Sequence, residues 1–518
     1  MESPNKRRIS HIFYSASAVL IILSLFEFLF HFVVNLNGAY GFFRDEFYYI
    51  ACSNHLAWGY VDQPPFSILI LKISRLVLGD SLLAIRFLPA LLGALTVFIA
   101  GKITKELGGG IFAQAAAAIC VIIAPINLAL NSYYSMNSFD LFFWALLFYL
   151  LILIIKSGSK NLWYLLGIII GLGLMNKISM LWLGGGLFIG LLLTSHRKLF
   201  KTKEPWIAFL IAGVVFIPYI IWQIQNNFPT LEFMRNALKD KYVLQSPLDF
   251  FKSLILMENP ITFPIWILGL YYLLFDKNIK QFRILAIIFI AVLVVLLLNP
   301  SSKAEYLSSS FPVLFAGGGI FLESIFERKK LFWPKPVVIT LLALSMWVAP
   351  LATPILPIQS YLKYAEFFGI KPSTSEKKKL GELPQFFADM FGWKKMTEQI
   401  AKVYDKLTPE EKQSCVIYCG NYGEAGAINF LGKKYHLAPA ISGHNNYYLW
   451  GPVRKNISVV IIITRNVNSL KKLFGEVIPA DTLHLKYSMP YENNQPVWIC
   501  KQPKKTIQEI WPSTKHYE

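Results

Sequence analysis

The chain has 518 residues, 55% of them hydrophobic and only 16% charged, with a mean hydropathy of +0.46. That balance excludes an ordinary soluble core and describes an integral membrane protein, its apolarity concentrated in the first 360 residues. A net charge of +19 would suit nucleic acid, but the Lys and Arg residues cluster at the ends of apolar runs, where topology and anionic lipid headgroups call for them, so no nucleic-acid partner is expected.

The first apolar run, from His11 to Val34, is too long for a signal-peptide core and lacks a convincing cleavage site behind it, so it reads as a first spanning helix. Eleven runs are long enough to cross the hydrocarbon, at roughly 11–34, 82–101, 111–128, 138–155, 161–176, 178–194, 206–224, 261–275, 282–298, 309–326 and 337–354. The pair flanking Asn176-Lys177 is short, which widens the expected count to between ten and thirteen. Lys6-Arg7-Arg8, Lys102 with Lys105, Lys156 with Lys160, Arg197-Lys198, Lys277 with Lys280, and Arg328-Lys329-Lys330 fall in alternate connections. The positive-inside rule places these, and the N-terminus, in the cytoplasm. Residues 35–81, 129–137, 225–260 and 299–308, the turn at Asn176-Lys177 and the C-terminal part are then expected outside. Glu27 is an acid within the first span, with no partner that the sequence names.

In the first outer loop, Arg44, Asp45 and Glu46 are followed by Asp62-Gln63-Pro64-Pro65. Ionisable groups beside a membrane core are costly, so a site is the default reading for those that face the protein interior. On a helix, adjacent residues point about 100° apart, so only one of Asp45 and Glu46 can be aimed squarely at a reacting group. That geometry argues against the separated acid and base of a glycoside hydrolase and favours one carboxylate taking a proton from a hydroxyl. A surface charge pair with Arg44 is the alternative. Ile68 to Leu78 reads as a helix lying in the membrane interface, with a re-entrant segment as its alternative.

Lys177 and Lys303 each sit in a short outer connection, where positive charge runs against the topology rule. A phosphate would explain both, because an ammonium group binds phosphate as a compact point charge, and Tyr306 would add a hydroxyl donor. Snorkelling at helix ends explains either lysine alone. Asn137 and Asp140 lie at i and i+3 where the fourth span opens, positioned to bind an acceptor or to orient Asp45. A helix cap accounts for Asn137 equally well.

From Tyr361 the composition turns polar, which divides the chain into a transmembrane domain, 1–360, with the outer loop 35–81 carrying the acids, and a small extracytoplasmic α/β domain, 361–518. Ser414–Tyr418, Ser458–Thr464 and Val497–Cys500 read as buried strands and Gln385–Leu407 as an amphipathic helix. Cys419-Gly420-Asn421-Tyr422-Gly423-Glu424-Ala425-Gly426 matches neither G-x-G-x-x-G nor the Walker spacing and reads as a structural turn, with a nucleotide site as the lesser alternative. The segment Tyr435–Pro452 is rich in Asn, His and aromatic residues, which suits carbohydrate stacking; a packed surface loop is an equal alternative. Cys52, Cys120, Cys415, Cys419 and Cys500 show no repeated pairing and read as buried thiols, a disulfide to Cys500 staying open.

These motifs resemble the protein-O-mannosyltransferase-like and aminoarabinose-transferase-like membrane glycosyltransferases, which have the C-type glycosyltransferase fold. The resemblance spans roughly residues 10–350 and rests on Arg44-Asp45-Glu46 with Tyr48-Tyr49, Trp58-Gly59-Tyr60-Val61-Asp62-Gln63-Pro64-Pro65, Met136-Asn137 with Asp140, Asn176-Lys177, and Lys303 with Tyr306 and Pro312. The C-terminal segments resemble the tail of bacterial family 39 type members. The resemblance implies an inverting transferase that moves a hexosyl or pentosyl group from a polyprenyl-phosphate carrier to a hydroxyl of a glycolipid, glycan or protein, at the outer face of a prokaryotic plasma membrane. It assigns Asp45 and Glu46 to catalysis, Lys303, Tyr306 and Lys177 to the carrier phosphate, and Asp62, Gln63, Asn137 and Asp140 to acceptor or sugar. Many relatives carry His at the place of Gln63 and an acid before the fourth span. No His/Asp/Glu cluster at ligand spacing demands a metal, so no cofactor is expected. The readings from other classes are a transporter or flippase of lipid-linked saccharides, with Asp45 as a proton or cation site, and a non-catalytic glycan-binding membrane protein. No internal repeat supports the transporter.

Overall fold

The computed structural model describes residues 4–36, 40–454 and 456–518, with the side chains of 4–15 outside the description, so Lys6, Arg7 and Arg8 contribute no structural observation. Seven helices among the described residues are long and apolar enough to cross a membrane: Ala16–Leu36, Leu82–Glu106, Met136–Ser157, Glu204–Gln225, Lys280–Leu297, Ala304–Arg328 and Pro334–Ala352. An eighth span is made if Pro247–Met257 and Pro260–Phe275, bent by 97° at their junction, are counted as one. Ile111–Ile123 and Met180–Leu193 are apolar but shorter. The run expected at 111–128 breaks at Ala124, because Pro125 lacks an N–H and pushes the residue before it out of the helical region. On Glu204–Gln225 the exposed side chains include Phe209, Leu210, Val214, Ile217, Ile221 and Ile224, the apolar surface that a hydrocarbon solvent calls for.

Contacts divide the chain into two compact units that do not follow sequence order. One holds the N-terminal helix, Leu83–Ile220 and Leu244–Ile355; the other holds the loop after that helix as far as Leu82, together with Ile221–Val243 and Leu356–Glu518. The loop after the first helix, placed by sequence order with the transmembrane domain, thus packs in the unit of the C-terminal residues.

In the first unit, helices Phe263–Phe275 and Phe311–Arg328 pack at close range through glycines. A Cβ at Gly269 would fall on the Leu314 carbonyl oxygen and one at Gly318 on that of Ile265. Small residues are what lets membrane helices approach this closely. Glu27, left without a partner by the sequence, meets His31 Nε2 at 3.1 Å and Asn131 Nδ2 at 3.4 Å, and His31 Nδ1 lies 3.4 Å from the Ser132 hydroxyl.

The second unit is built on a five-stranded sheet: β1 (Cys415–Cys419), β2 (Ala440–Ser442), β3 (Val459–Ile463), β4 (Phe474–Thr482) and β5 (Pro496–Pro503), in the order β2-β1-β3-β5-β4. β1 pairs in parallel with β2 and β3, whereas β5 is antiparallel to β3 and β4. Val416, Ile441, Val460, Ile462, Leu470, Phe474, Cys500 and Trp511 form a core on the sheet. All five cysteines are buried and unbridged. The helix expected over Gln385–Leu407 is two helices, Gln385–Ala388 and Trp393–Tyr404, parted at Gly392, whose φ of +94° suits glycine alone.

Candidate functional site

The helix Arg44–Asn54 opens directly on the acidic motif. Glu46, expected beside Asp45 in catalysis, is fully buried, and its Oε2 accepts the Phe43 N–H at 2.7 Å. It caps its own helix, since a carboxylate at the third helical position satisfies an N–H that the first turn leaves unpaired. Asp45, one step away, stays one-third exposed. Its Oδ1 accepts the Tyr422 hydroxyl at 2.8 Å and Arg44 Nε at 3.4 Å.

Arg44 is itself held. Its Nη1 donates to the Tyr491 hydroxyl at 2.7 Å, its Nη2 lies 3.8 Å from Asp389 Oδ2, and its backbone N–H donates to the Asp389 carbonyl at 2.9 Å. Tyr422 begins the helix Tyr422–Leu431, and close packing brings it to Asp45. A Cβ on Gly426 would lie 2.8 Å from Phe47 Cβ, and one on Gly423 would strike the Arg44 side chain. The glycine-rich segment, expected as a structural turn, thus admits the helix that carries Asp45.

Around Tyr422 the rings form a continuous stack. Tyr48 lies 4.6 Å from it, His444 lies 4.5 Å from it, and His516 lies 4.7 Å from His444. The Tyr48 hydroxyl donates to Asp62 Oδ1 at 2.9 Å, and Asn446 Oδ1 accepts the Val61 N–H at 2.7 Å. Burial pushes the Asp62 carboxyl up to about 6, and burial beside His516 pushes His444 well below the usual imidazole range. Gln63 is fully buried, with neither amide atom hydrogen-bonded among the described residues. A cavity of about 60 Å³ opens here, lined by Arg44, Lys241, Tyr422, His444 and Tyr491 among others. Tyr48 lay within the expected motif, whereas Tyr422 comes from the segment expected as a structural turn and Asp389 from the run expected as an amphipathic helix. Asn446 comes from the segment expected as a carbohydrate-stacking or packed surface loop, and Tyr491 from a stretch that carried no functional signal in the sequence.

In the other unit, Ser135 caps the helix Met136–Ser157 by accepting the Asn137 N–H at 3.2 Å. The Asn137 side chain is therefore not the cap. Its Oδ1 accepts Lys177 Nζ at 2.8 Å, and Lys177 lies 3.7 Å from Asp140 Oδ2. Asp140, almost fully buried, also accepts the hydroxyls of Ser179 at 2.9 Å and Ser309 at 3.3 Å. Lys177 Nζ stands 5.2 Å from the centre of the Tyr306 ring, which packs against Trp182 at 5.6 Å. Lys303 pairs with Glu305 at 3.9 Å, and its carbonyl accepts the Tyr306 N–H at 3.1 Å. Four residues expected in two separate roles, Asn137, Asp140, Lys177 and Tyr306, thus form one cluster around a cation. No group of three or more His, Cys, Asp or Glu among the described residues is arranged to hold a metal ion.

The profile of the dolichyl-phosphate-mannose-protein mannosyltransferase family matches residues 62–222. Lipid A galacturonosyltransferase RgtD of Rhizobium johnstonii is 24% identical over 328 residues, which is 62% of this chain and 68% of that protein. ArnT from Cupriavidus metallidurans, solved with bound undecaprenyl phosphate, superposes with a TM-score of 0.59 at 12% identity, covering 93% of this chain and 97% of its own. The apo oligosaccharyltransferase of Archaeoglobus fulgidus superposes with a TM-score of 0.52 at 12% identity, covering 97% and 77%. The chain is a multi-pass membrane protein with the C-type glycosyltransferase fold, as the resemblance over residues 10–350 implied.

Proposed function

We propose that the protein transfers a sugar from a polyprenyl-phosphate carrier to an acceptor hydroxyl, with inversion at the anomeric carbon. The observation that carries this reading is the division of work in the acidic motif. Of two adjacent acids, one is sealed inside as a helix cap, while the other keeps a part-exposed carboxylate held by a tyrosine and an arginine. Asp45 takes the acceptor proton as the hydroxyl oxygen attacks the anomeric carbon. The bond from that carbon to the phosphate oxygen breaks, and polyprenyl phosphate leaves with its electron pair. Lys177, oriented by Asn137 and Asp140 and standing over the Tyr306 ring, stabilises the departing negative charge, and Lys303 joins it in binding the carrier phosphate. Asp62 and Gln63 belong with acceptor or sugar recognition, and the residues of the motif supply this chemistry without a metal.

The named relatives support a polyprenyl-phosphate donor and a lipid acceptor, and the galacturonosyl name puts a hexuronic acid first among the sugars. The reading places the N-terminus in the cytoplasm and the C-terminal residues outside the plasma membrane. Purified protein given a labelled polyprenyl-phosphate sugar and an acceptor glycolipid should release polyprenyl phosphate. Asp45→Asn should slow this by about a hundredfold or more while leaving the melting temperature in place. Undiminished turnover in that variant would remove Asp45 as the base, whereas no release by the wild type would return a transport role to consideration.

A further inference from the structure

The segment Tyr435–Pro452, whose aromatics, Asn and His suited carbohydrate in sequence, is only partly taken up by the site at Asp45, through His444 and Asn446. Two of its residues, Tyr447 and Trp450, line a second cavity of about 340 Å³, together with Asn54, His55, Phe430 and Lys433. That volume lies within the range of small-molecule sites.

The walls are built rather than incidental. His55 stacks on Trp450 with ring centres 4.5 Å apart and planes 21° from parallel, and Tyr447 meets the same indole edge-on at 4.8 Å. Asn429 holds the floor, exchanging hydrogen bonds of 2.9 Å in both directions with the backbone of Ala440. Asn54, His55 and Lys433 are exposed at the rim. Aromatic faces with amide, imidazole and ammonium groups at their edges suit a sugar ring, which offers C–H groups on its faces and hydroxyls around its perimeter. An acyl chain would make no use of the hydrogen-bonding groups at that rim.

Position adds to this. Asp45 and Asn54 lie at opposite ends of one helix, about 13 Å apart at 1.5 Å per residue. Tyr422 bonds Asp45 at the start of the helix packed beside it, and Phe430 in that helix's last turn and Lys433 just past its end line the cavity. A short oligosaccharide has that reach.

We infer that this cavity is a saccharide-binding subsite that grips a sugar unit of the acceptor away from the reacting hydroxyl. Its assignment to the acceptor rests on the glycosyl-transfer reading above; saccharide binding itself does not. The test is saturation-transfer NMR on the purified full chain in detergent, with glucose-, galactose-, mannose- and N-acetylglucosamine-containing disaccharides as probes. At least one should receive saturation from the wild type and from Asp45→Asn. Trp450→Ala should lose tenfold or more in affinity, and so should the rim variant Asn54→Ala/Lys433→Ala, which keeps the aromatic wall and decides the matter should Trp450→Ala misfold. No transfer to any disaccharide, or wild-type affinity in the rim variant, would overturn the subsite. Disaccharide binding by a wild-type protein that shows no transferase turnover would instead overturn the acceptor assignment and leave the subsite standing.

Discussion

Asp45 and Glu46 are neighbours in the chain with unlike environments, because one helical step turns the second inward to an N–H that needs an acceptor. Glu46→Gln keeps an oxygen for the Phe43 N–H, so turnover should stay within a few fold of wild type, in contrast to Asp45→Asn. Glu46→Ala should cost about 1 kcal/mol or more of stability through the lost cap, read as a lower melting temperature. Lys177 shows the same tension between structure and chemistry. Removing it alone leaves Asp140 buried and without its cation, so Lys177→Ala should destabilise the protein by about 3 kcal/mol. Lys177→Ala/Asp140→Ala should recover much of that loss in thermal unfolding while carrier binding, followed with a labelled polyprenyl phosphate, stays weak. Recovery of both together would deny Lys177 its role at the phosphate.

Elements end where local chemistry stops them, and those stops were legible unevenly. Pro125 carries a break that the apolar run over 111–128 passed through, and Gly392 marks one that the amphipathic pattern of 385–407 obscured. β1, β3 and part of β5 were readable as runs of β-branched residues. β2 has three residues, too few for any periodicity, and β4 is an edge strand, largely solvent-facing and interrupted at Pro479 by an irregular register, so neither carries a buried-strand signature. Glycine spacing was equally silent about its purpose until the helices were seen together. Gly269→Ala places a methyl on the Leu314 carbonyl oxygen of the facing helix, and neither backbone can yield without separating the pair. The expected outcome is a loss of about 3 kcal/mol, measured by thermal unfolding in detergent; a melting temperature equal to wild type would contradict the close approach.

At the scale of the molecule, the unit built on the sheet buries more acid than it neutralises. Burial pushes Asp62 up to about 6, Glu424 up to about 7 and Asp389 up to about 7, the last in spite of Arg44, and drives Glu492 well above the carboxylate range. Raised carboxyls bind protons more tightly in the folded state than in the unfolded one. Their stabilisation is complete below the unfolded values near 4 and is lost as the pH climbs through about 6 to 7. The second unit should therefore melt at higher temperature at pH 5 than at pH 8. Glu424→Gln retains an acceptor for the Gly420 N–H and should flatten the profile by about 3 kcal/mol, the equivalent of a shift from 4.5 to about 7. An unchanged slope in that variant would place the dependence elsewhere.

The amino-acid order alone determined that this is a polytopic membrane protein and where several of its longest apolar helices run, though it read eleven spans where the described residues hold seven or eight. It also determined that the tail turns to mixed α/β structure and that the loop after the first helix carries the acids. Hydrophobic length and charge placement are local properties, readable in a window of some twenty residues. Tertiary structure decided which acid is sealed as a cap, that Tyr422 and Asp389 from the tail hold Asp45 and Arg44, and that Asn137, Asp140 and Tyr306 gather around Lys177. Those partners lie up to several hundred residues apart along the chain. What brings them together is the burial of charged and polar groups that must find each other once water is withdrawn, a requirement that no local stretch of sequence expresses.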